Sequence, residues 1–192
     1  MASHRVVIAV TGASGVLLGR HCLEICSTLP SVETHLVVTD AAKKVIVHEL
    51  GKGALEEFTG LATVCHPQER VEARIASGSF DTAGMVIAPC SLHTAMALSA
   101  GLGGNLVERA GQVHLKERRP LVLVLRESPL AAHHLTHLAQ LAGAGAVIMP
   151  ASPRFYLFPT SMDNMVKDMA LKALSYLALP GLPRAEYTPT ES

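Results

Sequence analysis

The sequence predicts an α/β fold, a doubly wound parallel sheet with helices on both faces, on three observations. Short, continuously apolar, β-branched runs recur along the chain, and continuous apolarity marks strands covered on both faces, as in a parallel sheet. These runs alternate with stretches of helical spacing, the pattern that builds strand–helix–strand units. Polar and special residues collect directly after the strands, at the edge where open parallel sheets bind ligands.

The first strand, Arg5 to Val10, ends in Thr11-Gly12-Ala13-Ser14-Gly15. Helical spacing follows from Val16 to Leu29, with Leu17, Cys22, Leu23 and Ile25 as apolar positions. Val32 to Val38 makes the second strand and Ala41 to Leu50 the second helix. A polar interlude with a helix over Glu69 to Ile75 leads to a turn at Ser77-Gly78-Ser79-Phe80. The third, fourth and fifth strands are Gly84 to Ala88, Leu121 to Leu125 and Ala146 to Met149. Helices are expected at Ser91 to Ala100, Asn105 to Leu115 and Leu130 to Leu141. A last helix runs from Met162 to Leu179, capped by Ser161 or Thr160 and stopped by Pro180, Gly181 and Pro183.

A chain of 192 residues suits one core, so one domain is expected over 1–179 with a Pro-containing tail over 180–192. Hydrophobic residues at 49% against 17% charged exclude disorder as the overall state. Sixteen basic residues balance sixteen acidic ones, which removes a whole-protein footprint for nucleic acid or an anionic membrane. An apolar chain of such low charge points to self-association. No apolar run reaches the roughly 18 residues that cross a bilayer, and the amino terminus lacks the shape of a signal peptide. Four cysteines make no small disulfide framework and read as reduced thiols in cytoplasm.

The chemistry concentrates in the loops after the strands. Gly-Ala-Ser-Gly is neither a complete dinucleotide fingerprint nor a P-loop, and alone reads equally as a tight turn with a helix cap. Ser14, Ser91 and Thr94 near helix starts can cap a helix or serve a bound phosphate. Together the loops, including Thr39-Asp40 and Pro150 to Tyr156, favour an anionic, phosphorylated ligand. Arg126-Glu127 follows the fourth strand directly; the guanidinium suits bidentate phosphate contact and the carboxylate can move protons. A structural ion pair is the competing reading. The basic run from Lys116 to Arg119 lies before the fourth strand, at the opposite edge, so a chemical role for Lys116 implies another subunit's site. Otherwise it is a solvated helix end. Lys172 shares a helical face with Met165, Met169 and Tyr176, and either reaches water or meets an anion. His133, His134 and His137 lack a completing carboxylate or thiolate, so they read as a helix face and not a metal site.

Taken in order, several segments resemble the UbiX-type flavin prenyltransferases, from Val7 to about Ala178. The most specific are Thr11 to Gly15, Ser77 to Phe80, Pro89-Cys90-Ser91 and Leu115 to Leu123. Arg126-Glu127, Gly145 to Pro150 and Phe155-Tyr156 complete the series. The resemblance implies a Rossmann-like or flavodoxin-like three-layer sandwich assembled as a dodecamer, with active sites between subunits. It implies metal-independent transfer of a dimethylallyl group from dimethylallyl monophosphate to reduced FMN, at N5 and then C6, giving prenylated FMN for a UbiD-type decarboxylase. Carried over by position, Gly12, Ala13, Ser14, Thr39, Ser91, Leu92, His93, Thr94 and Arg126 would contact FMN. Ser14, Glu49, Glu127 and Lys116 would serve catalysis. Lys116, Arg126, Tyr156 and Lys172 would surround the prenyl phosphate, with Arg109 in support. The chain carries Lys172 where the family usually has Arg, and Thr39-Asp40 where Ser-Lys is common. The alternative implied is a UbiX-like FMN carrier or accessory protein without prenyl transfer.

Overall fold

Strand β1 (His4–Val10) leads to helix α1 (Leu17–Ser27), and β2 (Val32–Val38) leads to α2 (Asp40–Leu50) and α3 (Ala54–Leu61). A three-residue strand, β3 (Val64–His66), then runs through irregular backbone to β4 (Gly84–Cys90). Helices α4 (Leu92–Ser99) and α5 (Leu106–Lys116) precede β5 (Leu121–Leu125). Helix α6 (Ala132–Gly143) precedes β6 (Val147–Pro150), and α7 (Met162–Leu174) follows. This computed structural model describes residues 4–183, so the expected tail lies outside the described residues from 184 onward.

All strand pairs are parallel, in the order β3-β2-β1-β4-β5-β6. That is the Rossmann order, and the winding direction reverses between β1 and β4, the switch point where ligands of such sheets bind. The two-residue side-chain period of the strands sorts the core into two layers. Val6, Ile8 and Val10 face one side with Leu36, Val86 and Val122, against α1, α2, α3 and α7. Val7 and Ala9 face the other with Met85, Ile87 and Leu121, against α4, α5 and α6. Each large apolar side chain so buried contributes roughly 1.5–3 kcal/mol, against about 1 kcal/mol for a helix cap. Face burial therefore holds the layers, and the caps set where the helices begin. Ser161 caps α7 by accepting the Asn164 amide at 3.1 Å.

The structure corrects four expectations. The polar interlude contains α3 and the edge strand β3, and its expected helix over Glu69 to Ile75 is absent. Tight turns replace it, ending in one 3-10 turn at Arg74–Ala76. The Gln68 carbonyl accepts the Leu106 amide at 2.8 Å, so a backbone group that an isolated helix would keep to itself is used across the fold. The last helix stops at Leu174, followed by a 3-10 turn at Ser175–Leu177. Ala178 then adopts a left-handed conformation, φ 49°, which no continuing helix tolerates. The sheet thus has six strands where five were expected.

Candidate active site

The carboxyl-end loops of β1 and β4 meet at the switch point. Thr11 joins them: its hydroxyl donates to the Pro89 carbonyl at 2.9 Å and accepts the Ser91 amide at 2.7 Å. The next residues, Gly12 to Gly15, run across the sheet edge. Gly12 lies so close to α2 that a Cβ would stand 2.5 Å from the Ala41 Cβ. Gly15 has φ 93°, a left-handed conformation that suits glycine. The Glu49 carboxylate, from α2, accepts the Gly15 amide at 3.0 Å and the Val16 amide at 3.1 Å. The two amides that lead into α1 are thereby satisfied by a side chain of the chain itself. Ser14 is exposed between these anchors, while Ala13 is buried.

At the start of α4 the situation differs. Ser91 accepts the Thr94 amide at 3.3 Å, and its hydroxyl lies 3.0 Å from that of Thr94. The Leu92 and His93 amides make no hydrogen bond among the described residues, so this helix start can receive an anion. Thr39 is buried and caps α2 by accepting the Ala42 amide at 3.2 Å. Asp40, beside it, is held by Lys43 at 2.8 Å and by the Gln68 side-chain amide at 2.7 Å.

Arg126 and Glu127 follow β5 on the same edge, and the Arg126 amide donates to the Cys90 carbonyl at 3.1 Å. Both side chains are exposed and no ion pair joins them, so the competing structural reading fails. Glu127 Oε1 accepts the Ser128 amide at 3.0 Å. The pair lines a groove of about 600 Å³ together with Leu130, Leu138 and Ile148.

The remaining expected residues lie elsewhere in the chain. Helix α5 starts at the carboxyl edge, where the Leu106 amide meets Gln68, and runs antiparallel to the strands. Arg109 is in its first turns and Lys116 at its end, so the two share the wall of a 350 Å³ pocket along the helix. Lys116 accordingly stands at the amino edge, opposite Arg126, with its ammonium 3.3 Å from Glu117. Lys172 is half-buried in the last turn of α7, its ammonium 4.8 Å from the Tyr176 ring centre. Tyr176 and Lys116 line one concavity at that edge. Tyr156 is exposed in the 3-10 turn Phe155–Leu157 after β6. Arg154, two residues earlier, forks onto Asp168 in the middle of α7, with Nε 2.8 Å from Oδ2. The hydrogen bond to Asp168 raises the Arg154 pKa above the usual guanidinium value, and a hydrogen bond to Tyr156 adds to it. Sequence reasoning singled out neither Arg154 nor the Thr11 bridge, because their partners are distant in the chain.

Titration behaviour separates reactive from structural groups. Burial pushes the Cys90 and Cys26 thiols up to about 12 and Cys22 well above its ordinary value, so none is a thiolate nucleophile. All four cysteines are free. His137 meets the Ser99 hydroxyl at 3.0 Å and His134 accepts the Ala131 amide at 3.0 Å. Among the described residues, no three His, Cys, Asp or Glu side chains group to hold a metal ion. None of the described helices is long and apolar enough to cross a membrane.

A protein-family model described as Flavoprotein matches residues 1–171. The flavin prenyltransferase UbiX of Salmonella typhimurium is 42% identical over 176 residues, 92% of this chain and 93% of that one. Its counterpart in Thauera aromatica is 43% identical over 175 residues, 91% of this chain and 89% of that one. A UbiX crystal structure in complex with FMN and dimethylallyl pyrophosphate matches with TM-score 0.92 at 34% identity, covering 98% of this chain and 100% of that chain. A dodecameric FMN-dependent UbiX-like decarboxylase from Escherichia coli matches with TM-score 0.88 at 37% identity, covering 95% and 100%.

Proposed function

We infer that this chain, which belongs to the flavoprotein family and within it to the UbiX-type flavin prenyltransferases, transfers a dimethylallyl group from dimethylallyl monophosphate to reduced FMN. The observation that carries the reading is the open carboxyl edge at the β1/β4 switch point. There an exposed Ser14, the Leu92 and His93 amides and an exposed Arg126 guanidinium, the amides and guanidinium without a hydrogen-bond or ion-pair partner among the described residues, lie along one edge. These groups fit a flavin mononucleotide. A low glycine loop admits a flat ring system close to the backbone, and free helix amides with a guanidinium suit its phosphate. Glu49 already takes the Gly15 and Val16 amides just before α1, and the α4 start offers the Leu92 and His93 amides to the anion.

Gly12, Ala13, Ser14, Thr39, Ser91, Leu92, His93, Thr94 and Arg126 hold the flavin. The reduced flavin supplies N5 and then C6 as the carbon-accepting atoms, and prenylated FMN and inorganic phosphate leave. Breaking the allylic C–O bond builds negative charge on the departing phosphate oxygen. Lys116, Arg126, Lys172 and the Tyr156 phenol neutralise it, which is electrostatic catalysis without a metal. Closure onto C6 needs one proton given to the prenyl double bond and one taken from C6. Glu127, with one carboxylate oxygen free of its Ser128 contact, and Ser14 pass that proton. Glu49 holds the Ser14 loop in place, and Arg109 supports Lys116 along α5.

Lys116 and Arg126 stand at opposite edges of the sheet in one chain, so a single phosphate cannot meet both within it. A neighbouring subunit completes the cage, and a dodecamer like that of the Escherichia coli relative supplies such neighbours. The enzyme works in the cytoplasm, and its product serves a UbiD-type decarboxylase. Phosphate release tests the reading: with reduced FMN and dimethylallyl monophosphate, one phosphate should appear for each flavin consumed. Oxidised FMN should release none, and absence of release with reduced FMN overturns the proposal.

A further inference from the structure

We propose that Thr11 is a positioning residue for the flavin phosphate, setting through Ser91 the helix start that receives it; this rests on the phosphate site given above. Strands β1 and β4 pair in register from Val6 with Gly84 to Ala9 with Ile87, and no further. Pro89 lies two residues beyond Ile87 and has no N–H to give, so the regular ladder stops there. Thr11 takes over the connection. Its amide donates to the Pro89 carbonyl at 3.2 Å. Its hydroxyl donates to the same carbonyl at 2.9 Å and accepts the Ser91 amide at 2.7 Å. Thr11 is 1% exposed, which keeps water from taking any of these places.

Ser91 is the cap of α4, with extended backbone (φ −73°, ψ 151°) and a side chain that accepts the Thr94 amide at 3.3 Å. Its own amide is fixed by Thr11, and the Leu92 and His93 amides follow directly in the first turn. On the other flank the Arg126 amide donates to the Cys90 carbonyl at 3.1 Å. The segment Pro89-Cys90-Ser91 is therefore held from β1 by the Thr11 side chain and from β5 by the Arg126 backbone. Valine at position 11 keeps the shape of threonine and the backbone bond to Pro89, so the loop from Gly12 to Gly15 stays in place. It removes the hydroxyl and leaves the Ser91 amide without its acceptor. The damage falls on the phosphate half of the site and spares the half that meets the flavin ring.

The test titrates full-length protein freed of flavin with oxidised FMN and, separately, with riboflavin, which has the same ring and no phosphate. Affinities are read by calorimetry for wild type, Thr11→Val, Thr11→Ser and Thr11→Ala. Thr11→Val should weaken FMN about tenfold, the scale of one hydrogen bond to a charged group, and leave riboflavin unchanged. Thr11→Ser keeps the hydroxyl and loses the methyl group, so it should keep the wild-type ratio of the two affinities even where its denaturant midpoint falls. A Thr11 that only holds the fold together would weaken both flavins alike. Equal losses for FMN and riboflavin, or wild-type FMN affinity in Thr11→Val, overturn the inference. Should Thr11→Val fail to fold, Thr11→Ala against Thr11→Ser decides by the same ratio. A wild type that binds riboflavin as tightly as FMN removes the phosphate site, and the inference with it. If the wild type prefers FMN yet makes no prenylated flavin, the transfer reaction proposed above fails, while the ratio still decides Thr11.

Discussion

Ser14 stands on a loop whose next two amides are held by Glu49, which lies 34 residues from Gly15 in the chain. Removing the Ser14 hydroxyl leaves those bonds intact, so Ser14→Ala should fold normally and retain FMN. Prenyl transfer in single-turnover experiments should slow about 100-fold, the scale of a positioned proton-transfer group. A wild-type rate would reduce Ser14 to a piece of backbone geometry. Lys172→Ala should raise the half-saturating dimethylallyl monophosphate about tenfold while flavin stays bound; unchanged steady-state kinetics would remove Lys172 from the cage. The placement of Ser14, Ser91, Arg126 and Glu127 beyond the carboxyl ends of strands was legible in the sequence because each lies within a few residues of an apolar run. The Glu49 contact with the α1 amides and the fork of Arg154 onto Asp168 were not. Hydropathy and spacing report on near neighbours, and these partners are 34 and 14 residues away.

The elements that bury regular apolar faces, β1, β2, β4 and β5 with α1, α4, α5 and α6, were legible to within a few residues. The segment from Ala54 to Ala76 was not: β3 has only three residues, each half-buried or exposed, so no hydrophobic period announces it. Helix α1 packs closely on the sheet at Gly19. A Cβ there would lie 2.5 Å from the Ala88 carbonyl oxygen and 2.7 Å from Val10 Cγ2. Gly19→Ala gains helix propensity of about 1 kcal/mol but must push backbone apart, a cost of about 1–3 kcal/mol. Net loss of stability is expected, read as a lower denaturant midpoint; an unchanged or higher midpoint would show that the helix shifts freely. Helix α5 is docked by His114, fully buried between the Thr82 hydroxyl at 2.9 Å and the Ala110 carbonyl at 2.7 Å. Burial pushes its pKa down to about 4 from 6.5. The unfolded chain therefore takes up a proton between those values where the folded one does not. Stability is complete above about pH 6.5 and falls as pH drops toward 4, by up to about 3 kcal/mol. His35 and His66, lowered by burial as well, act in the same direction. Urea midpoints across that range should decline with acid, and a flat profile would contradict the buried neutral imidazole.

For the whole molecule, six parallel strands in Rossmann order set one ligand edge, and the cations proposed for the phosphate stand partly at the other. On the proposed function, that division makes assembly part of the chemistry, the carboxyl edge of one subunit and the amino edge of another forming the cage together. The low net charge and apolar composition of the chain agree with such an assembly, and Phe155, Phe158 and Met162 are exposed near Tyr156. The central claim is carbon transfer to the flavin. The direct measurement is anaerobic incubation of the protein with reduced FMN and dimethylallyl monophosphate, followed by mass spectrometry of the released flavin. A flavin heavier by one dimethylallyl-derived unit is the predicted result. Unmodified FMN, with binding confirmed by absorbance, would contradict it and leave a flavin carrier in its place.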